Sequence, residues 1–270
     1  METKMIGEIP VYRISAGNAE LEFSTYGAHI LSYKVNGADL LWVSEKAVFS
    51  PGKAIRGGIP VCWPWFGSAG TPTHGVARIA FWDLAGEPVR EADGSVSVKM
   101  TLTAAEQGLA AVMEINLGAT LKVSLTTTNI SSETVKLTEA LHTYFAIGDI
   151  RKTVVRGFED TEYFCSLSSR MEKQSGVIAF EAETDRIYNA GSRIAVIEDP
   201  VMDRKIRVVR SGSASAVVWN PWIDKAARMA DYGDDEYPEM LCIEAANAGS
   251  DLRTLPPGAS HTLGTEISLL

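Results

Sequence analysis

Two ionisable side chains stand out because each is alone on a face of otherwise small or apolar residues. His142 lies in Thr138-Glu139-Ala140-Leu141-His142-Thr143-Tyr144-Phe145-Ala146-Ile147, an unbroken apolar, β-branched and aromatic run that reads as a strand. Alternation puts Ala140, His142, Tyr144 and Ala146 on one face and Leu141, Thr143, Phe145 and Ile147 on the other. Glu244 lies in a second such run, Met240–Asn247, sharing its face with Met240, Cys242 and Ala246. A carboxylate is costly to bury unless paired or hydrogen-bonded. A histidine and a glutamate facing one cavity would make a general acid and a general base. A core histidine bonded within a sheet and a glutamate in a structural ion pair are the plainer alternatives. No GxSxG nucleophile motif accompanies the pair, and Cys242 reads as core.

Cations gather around a different stretch. Arg56 precedes Gly57-Gly58, where a backbone without Cβ atoms can approach an anion closely. Arg78 follows in His74-Gly75-Val76-Ala77-Arg78, at the start of an expected strand. A guanidinium fork suits phosphate. Between them runs Val61-Cys62-Trp63-Pro64-Trp65-Phe66-Gly67, part of a long irregular loop over residues 44–74. Such a loop in a compact fold is often functional. His74 either contacts a ligand or holds the loop. Asp185, in Glu183-Thr184-Asp185-Arg186-Ile187-Tyr188, is either a turn aspartate or a carboxylate for the hydroxyls of a polyol. The aromatic and acidic region from Trp219 to Pro238 feeds into the Glu244 strand and is expected to wall the site, aromatic faces suiting sugar rings.

The elements that must position these groups are short alternating segments broken by turns. Glu20–Ser24 and Ile30–Val35 alternate, and Asn36-Gly37 then marks a hairpin, both residues accepting positive φ. Strands are expected at Val76–Trp82, Ser95–Thr103, Ala119–Asn129, Thr134–Ile147, Arg193–Glu198, Lys205–Arg210, Ala214–Trp219, Met240–Ala245 and His261–Ser268. Helix is scarce: a short one within Asp224–Tyr232 and a turn at Ala104–Gly108. With no linker, repeat or low-complexity tract, residues 1–270 read as a single domain of all-β class, a large antiparallel β-sandwich with little helix.

Bulk properties narrow the partners. A net charge of −9 argues against nucleic acid and against an anionic membrane surface. Three cysteines without metal-like spacing suit a reduced chain, and His29 and His261 read as structural. The first residues show no charged-then-apolar leader, and no apolar run approaches the length of a membrane span. We therefore expect a cytoplasmic monomer acting on a small molecule, with no metal and no cofactor.

Six segments in order resemble the glucose-6-phosphate 1-epimerases, hexose-6-phosphate mutarotases of the aldose 1-epimerase superfamily. They are Arg56-Gly-Gly-Ile-Pro-Val-Cys-Trp-Pro-Trp-Phe-Gly67, His74-Gly-Val-Ala-Arg78, Leu141-His-Thr-Tyr-Phe145, Thr184-Asp-Arg-Ile-Tyr188, Trp219-Asn-Pro-Trp222 and Cys242-Ile-Glu-Ala-Ala-Asn247. The resemblance spans about residues 10–268. It implies a galactose-mutarotase-like supersandwich. It also implies that His142 and Glu244 are the catalytic pair, that Arg56 and Arg78 help bind a phosphorylated sugar, and that Asp185 contacts hydroxyls; His74 is counted with the expected substrate-binding residues. The expected reaction interconverts α and β anomers of a hexose 6-phosphate by ring opening and reclosure at C1. A mutarotase of unphosphorylated aldoses and a non-catalytic sugar-binding protein are the alternatives. If the pair works as His⁺ with Glu⁻, their mutual field is expected to raise the histidine's pKa and lower the glutamate's.

Overall fold

Most segments in which hydrophobic residues alternate are extended. The structure, a computed structural model, describes residues 1–189 and 192–270. All strand pairings within its sheets are antiparallel. An N-terminal meander of five strands runs from Glu2 to Asp39, its Asn36-Gly37 turn made with φ of 52° and 80° as the hairpin signal requires. A nine-stranded sheet is built mainly from Val96–Ala104, Leu109–Leu117, Leu121–Asn129, Ile194–Asp199, Arg204–Ser211 and Ser260–Leu269.

The third large sheet carries the candidate site. Its strands run in the order Arg170–Lys173, Glu162–Cys165, Thr184–Asn189, Ser215–Asn220, Met240–Asn247, Glu139–Leu141 and Val61–Cys62. Tyr144–Ala146 continues alongside Met240–Asn247. One face of this sheet, with Leu141, Phe145, Val218, Ile243 and Ala245, joins Leu125 and Ile197 of the nine-stranded sheet and Leu21 of the meander in a shared core. The other face, with Ala140, Tyr144, Val217, Trp219, Cys242 and Ala246, is a second cluster closed over by Trp42, Ala226 and Tyr232. The period-two split of both key segments is therefore real: one parity builds the core and the other the floor of a cleft.

Some elements differ from expectation. Val76–Trp82 is not a strand: Ala77–Ile79 is a single 3₁₀ turn, so Arg78 sits on a tight loop. Asp185 is not in a turn but inside the Thr184–Asn189 strand, opposite Trp219. The short helix begins earlier and is shorter, Trp222–Ala226. Strands at Glu2–Ile6, Val154–Arg156, Glu162–Cys165 and Arg170–Lys173 carry little alternation and are found only in the structure. No helix among the described residues is long and apolar enough to cross a membrane.

Candidate active site

The strand expected over Thr138–Ile147 is interrupted at its most important point. Glu139–Leu141 and Tyr144–Ala146 are regular, while His142 and Thr143 between them are not. The register nonetheless runs through. Leu141 pairs with Ala245 on one side of the break and Tyr144 with Cys242 on the other, which sets His142 directly opposite Glu244. Cross-strand opposite residues share a face. Nδ1 of His142 lies 3.4 Å from Oε1 of Glu244. Neither that nitrogen nor either glutamate oxygen has a hydrogen-bond partner among the described residues. Glu244 is 1% exposed and His142 9%, so the carboxylate is the floor and the imidazole opens toward the cleft.

Burial dominates the electrostatics and reverses the expected directions. It pushes Glu244 well above the usual carboxylate range, helped by the charge of Asp185. It pushes His142 well below the usual imidazole range, helped by His74, Arg56 and Arg78. Both groups are held toward their neutral forms. A neutral pair and a His⁺–Glu⁻ pair contain the same number of protons, however. They are tautomers of one another, separated by moving one proton across the short gap.

The loop with Arg56 proves to be a strand edge in all but assignment. Ala140 pairs with Cys62, and the ladder continues as His142 N–H to Pro60 O at 3.0 Å and Tyr144 N–H to Gly58 O at 2.9 Å. Pro60 can accept from a neighbour but has no N–H to give, so the regular ladder stops there. The glycines are required: a Cβ on Gly58, at φ 64°, would sit 2.1 Å from the Ile30 carbonyl oxygen. Thus anchored, Arg56 sends Nη1 to the Tyr144 hydroxyl at 3.0 Å and Nη2 to Asp231 at 3.2 Å.

His74 does hold its loop, and it also reaches the cleft. At φ 63° it turns back so that its Nδ1 accepts the Gly67 N–H at 3.2 Å. That bond fixes the neutral tautomer with the proton on Nε2. Burial, then Arg78 and Arg56, lower its pKa to about 3. Its ring lies 5.9 Å from that of His142. Asp185 lines the same face, its carboxylate 3.6 Å from Lys225 Nζ, which also meets Glu183 at 3.1 Å and lies over the Trp219 ring. Arg78 is more peripheral, donating to the Thr73 carbonyl at 2.7 Å while its charge still reaches both His74 and His142. Of the expected residues, His142, Glu244, His74, Arg56 and Asp185 converge on one cleft and Arg78 stands at its rim. Lys225 and Asp231 were not singled out from the sequence, where each is one charge among many.

A cavity of about 690 Å³ also opens on the outer face of the nine-stranded sheet, lined by Ser97, Lys99, Glu114, Lys122 and Glu266 among others. Among its charges Lys99 pairs with Glu114 at 3.0 Å, and acidic residues outnumber basic ones. It presents a solvated sheet face, with no buried reacting pair.

A buried titratable pair 3.4 Å apart, beside aromatic rings on the face of an antiparallel supersandwich, is an arrangement able to do acid–base chemistry. The family described as aldose 1-epimerase matches residues 10–268, and the chain belongs to it. The chain is 39% identical over 263 residues to a Cenchrus ciliaris protein provisionally named glucose-6-phosphate 1-epimerase, covering 90% of this chain and 79% of that one. A protein of Escherichia coli K12 with the same provisional name is 32% identical, over 97% of this chain and 91% of its own. Among solved structures, a protein of Salmonella typhimurium provisionally described as a mutarotase superposes with a TM-score of 0.90. Its identity is 28%, over 99% of this chain and 92% of that one. The supersandwich expectation is met, and the chain is an isomerase of the epimerase type.

Proposed function

We propose that the protein interconverts the α and β anomers of a hexose 6-phosphate, with D-glucose 6-phosphate as the substrate to test first. The observation that carries this reading is the His142–Glu244 pair, whose facing atoms have no hydrogen-bond partner among the described residues, beside an anchored arginine. The provisional names of the relatives point the same way.

In the ring-opening direction Glu244 as carboxylate removes the proton from the C1 hydroxyl. His142 as imidazolium gives its proton to the ring oxygen. The C1–O5 bond breaks, its electron pair staying on O5, and the C1 oxygen becomes the aldehyde carbonyl. Glu244 is now protonated and His142 neutral. Rotation about C1–C2 turns the other carbonyl face toward O5. Reclosure returns each proton along its path. The neutral pair favoured by burial is thus the form needed for closing, and its ion-pair tautomer the form needed for opening. In this reading Asp185 and the Nε2–H of His74 meet sugar hydroxyls, and the faces of Trp219 and Phe66 meet the ring, all four lying near His142 or its neighbours.

Phosphate gives the pair a means of changing tautomer. Arg56 and Arg78 both disfavour the imidazolium of His142. A phosphate dianion on them offsets their charge, so the phosphosugar itself promotes the acid form. Each positioned proton transfer contributes typically about 10²–10⁴-fold. Anomer exchange of glucose 6-phosphate, followed by exchange spectroscopy, should accelerate with the protein present. Glu244→Gln should lower kcat by at least about 10²-fold, the contribution of one such transfer. Full activity in Glu244→Gln removes this assignment, and equal kcat/KM on glucose and glucose 6-phosphate removes the phosphosugar.

A further inference from the structure

We propose that Tyr144 is a positioning residue with two separable contacts: its ring sets the His142 imidazole and its hydroxyl sets the Arg56 guanidinium. The inference rests on the phosphosugar reading above for its kinetic arm and on Arg56 as the phosphate ligand for its binding arm, while the NMR arm stands without either.

The geometry is specific. The Tyr144 and His142 rings are 4.7 Å apart and nearly parallel, at 9°. Trp42 lies near the same phenol at 5.8 Å and 22°, giving it a second stacked neighbour. Trp219 meets both Tyr144 and His142 edge-on, at 5.9 Å and 6.0 Å. Tyr144 is 1% exposed, so the phenol has little room to move. A fixed parallel ring limits rotation of the imidazole about its Cβ–Cγ bond. It also presents a π-face that favours the cationic form.

The hydroxyl faces the other way along the floor and accepts from Arg56 Nη1 at 3.0 Å. With Asp231 on Nη2, two of the five guanidinium N–H groups are used, Nε is buried, and the second N–H of each Nη is what remains for an anion. Tyr144 thereby joins the anion-binding arginine to the acid through one rigid side chain. The bond from His142 N–H to Pro60 O holds the His142 main chain but not its ring, and the parallel phenol is what lies against that ring.

The two contacts can be cut apart. Tyr144→Phe keeps the ring and the fill of the site but removes the acceptor for Arg56. Tyr144→Leu removes both. Inorganic phosphate titrated onto the protein reads Arg56 without turnover, and the imidazole NMR signals of His142 read the ring. We expect Tyr144→Phe to weaken phosphate binding and to raise KM for glucose 6-phosphate about tenfold, the size of one charge-assisted hydrogen bond. Its His142 signals should titrate as in the parent and kcat should fall less than threefold. In an Arg56→Ala background the same substitution should have no further effect on phosphate. Tyr144→Leu should in addition lower kcat about tenfold or more and shift the His142 titration downward.

Phosphate affinity unchanged in Tyr144→Phe, or a loss that persists in Arg56→Ala, overturns the hydroxyl contact. A His142 titration that is the same in Tyr144→Leu as in the parent overturns the ring contact. If Tyr144→Leu does not fold, Tyr144→Trp, which keeps an aromatic face without the phenol, replaces it and must preserve the His142 titration. A parent protein that binds phosphate but shows no anomer exchange defeats the phosphosugar reading while both contacts stay decided by phosphate binding and NMR.

Discussion

The surroundings of His142 bias its proton in two opposed senses. Burial, His74 and the two arginines hold it neutral, while Glu244 at 3.4 Å offers a place for the compensating charge. The sign of the phosphate effect follows. Arginine charge lowers the imidazole pKa, and a bound dianion cancels part of that charge, so the pKa rises in the phosphosugar complex. His142 can act as the acid only while the pair holds its shared proton, and a nearby dianion also makes that proton harder to lose, so activity is lost as pH rises through the pair's upper pKa. The alkaline limb of kcat should therefore lie at higher pH for glucose 6-phosphate than for glucose, by up to about one unit, the usual size of a nearby charge's influence at a partly wet site. Coincident limbs on the two sugars would show that phosphate does not speak to His142. The residue types and their shared face were legible from alternation alone. Their pKa directions were not, because desolvation is a property of the assembled cleft, and Arg56, Arg78 and His74 become neighbours only through the fold.

Among elements, the Arg56–Pro60 segment shows how a glycine pair can act as structure. Gly58 at φ 64° passes so close to the neighbouring chain that a Cβ would meet Ile30 O at 2.1 Å and His29 Nε2 at 2.9 Å. His29 in turn bonds Gly57 O at 2.8 Å, so this histidine, read from sequence as merely structural, holds the arginine loop. Gly37 has a similar positive φ of 80° with nothing within 4 Å of its Cβ position. Gly58→Ala should cost at least about 2 kcal/mol in unfolding free energy and raise KM for the phosphosugar, whereas Gly37→Ala should cost about 1 kcal/mol from backbone strain alone. Thermal melts and steady-state kinetics on the two variants check this. Equal losses would mean that the close approach is not what makes Gly58 necessary. Sequence signals located the glycines and the hairpin well. They failed at Val76–Trp82, where apolar composition suits a strand but the bridge of Trp63 to Gly75 and the 3₁₀ turn at Ala77–Ile79 redirect the chain. They failed again at Arg170–Lys173, whose residues are all exposed and so carry no alternation to read.

At the scale of the whole molecule, a buried polar chain ties the site sheet to the nine-stranded sheet behind it. Trp63 Nε1 donates to Thr127 Oγ1 at 2.8 Å, and Thr127 donates to Glu139 Oε2 at 3.0 Å. Asn247, opposite Glu139 in the ladder, accepts from His261 Nε2 at 2.9 Å, and that nitrogen is 3.8 Å from Glu139 Oε1. Burial raises Glu139 to about 8, against the lowering effects of Thr127 and Arg253. The folded state therefore binds this proton more tightly than the unfolded chain, whose carboxyl titrates near 4.5. Glu139 is neutral to stability below pH 4.5, costs progressively more as pH rises to about 8, and costs a constant amount above. His261 contributes in the opposite sense, since its pKa is lowered and its share of stability falls as pH drops below 6.5. Glu139→Gln removes only the first of these. Whatever fixed offset the amide brings, the stability of Glu139→Gln relative to the parent should grow between pH 5 and pH 8 and then level off. Urea unfolding at pH 5, 7 and 9 measures it, and a difference that does not change with pH would place the Glu139 pKa near its ordinary value. The sequence placed Glu139 next to Ala140 on the floor strand and offered no partner for it. Thr127, Trp63 and His261 come from distant segments, and only the closure of the two sheets on one another brings them to the same carboxyl.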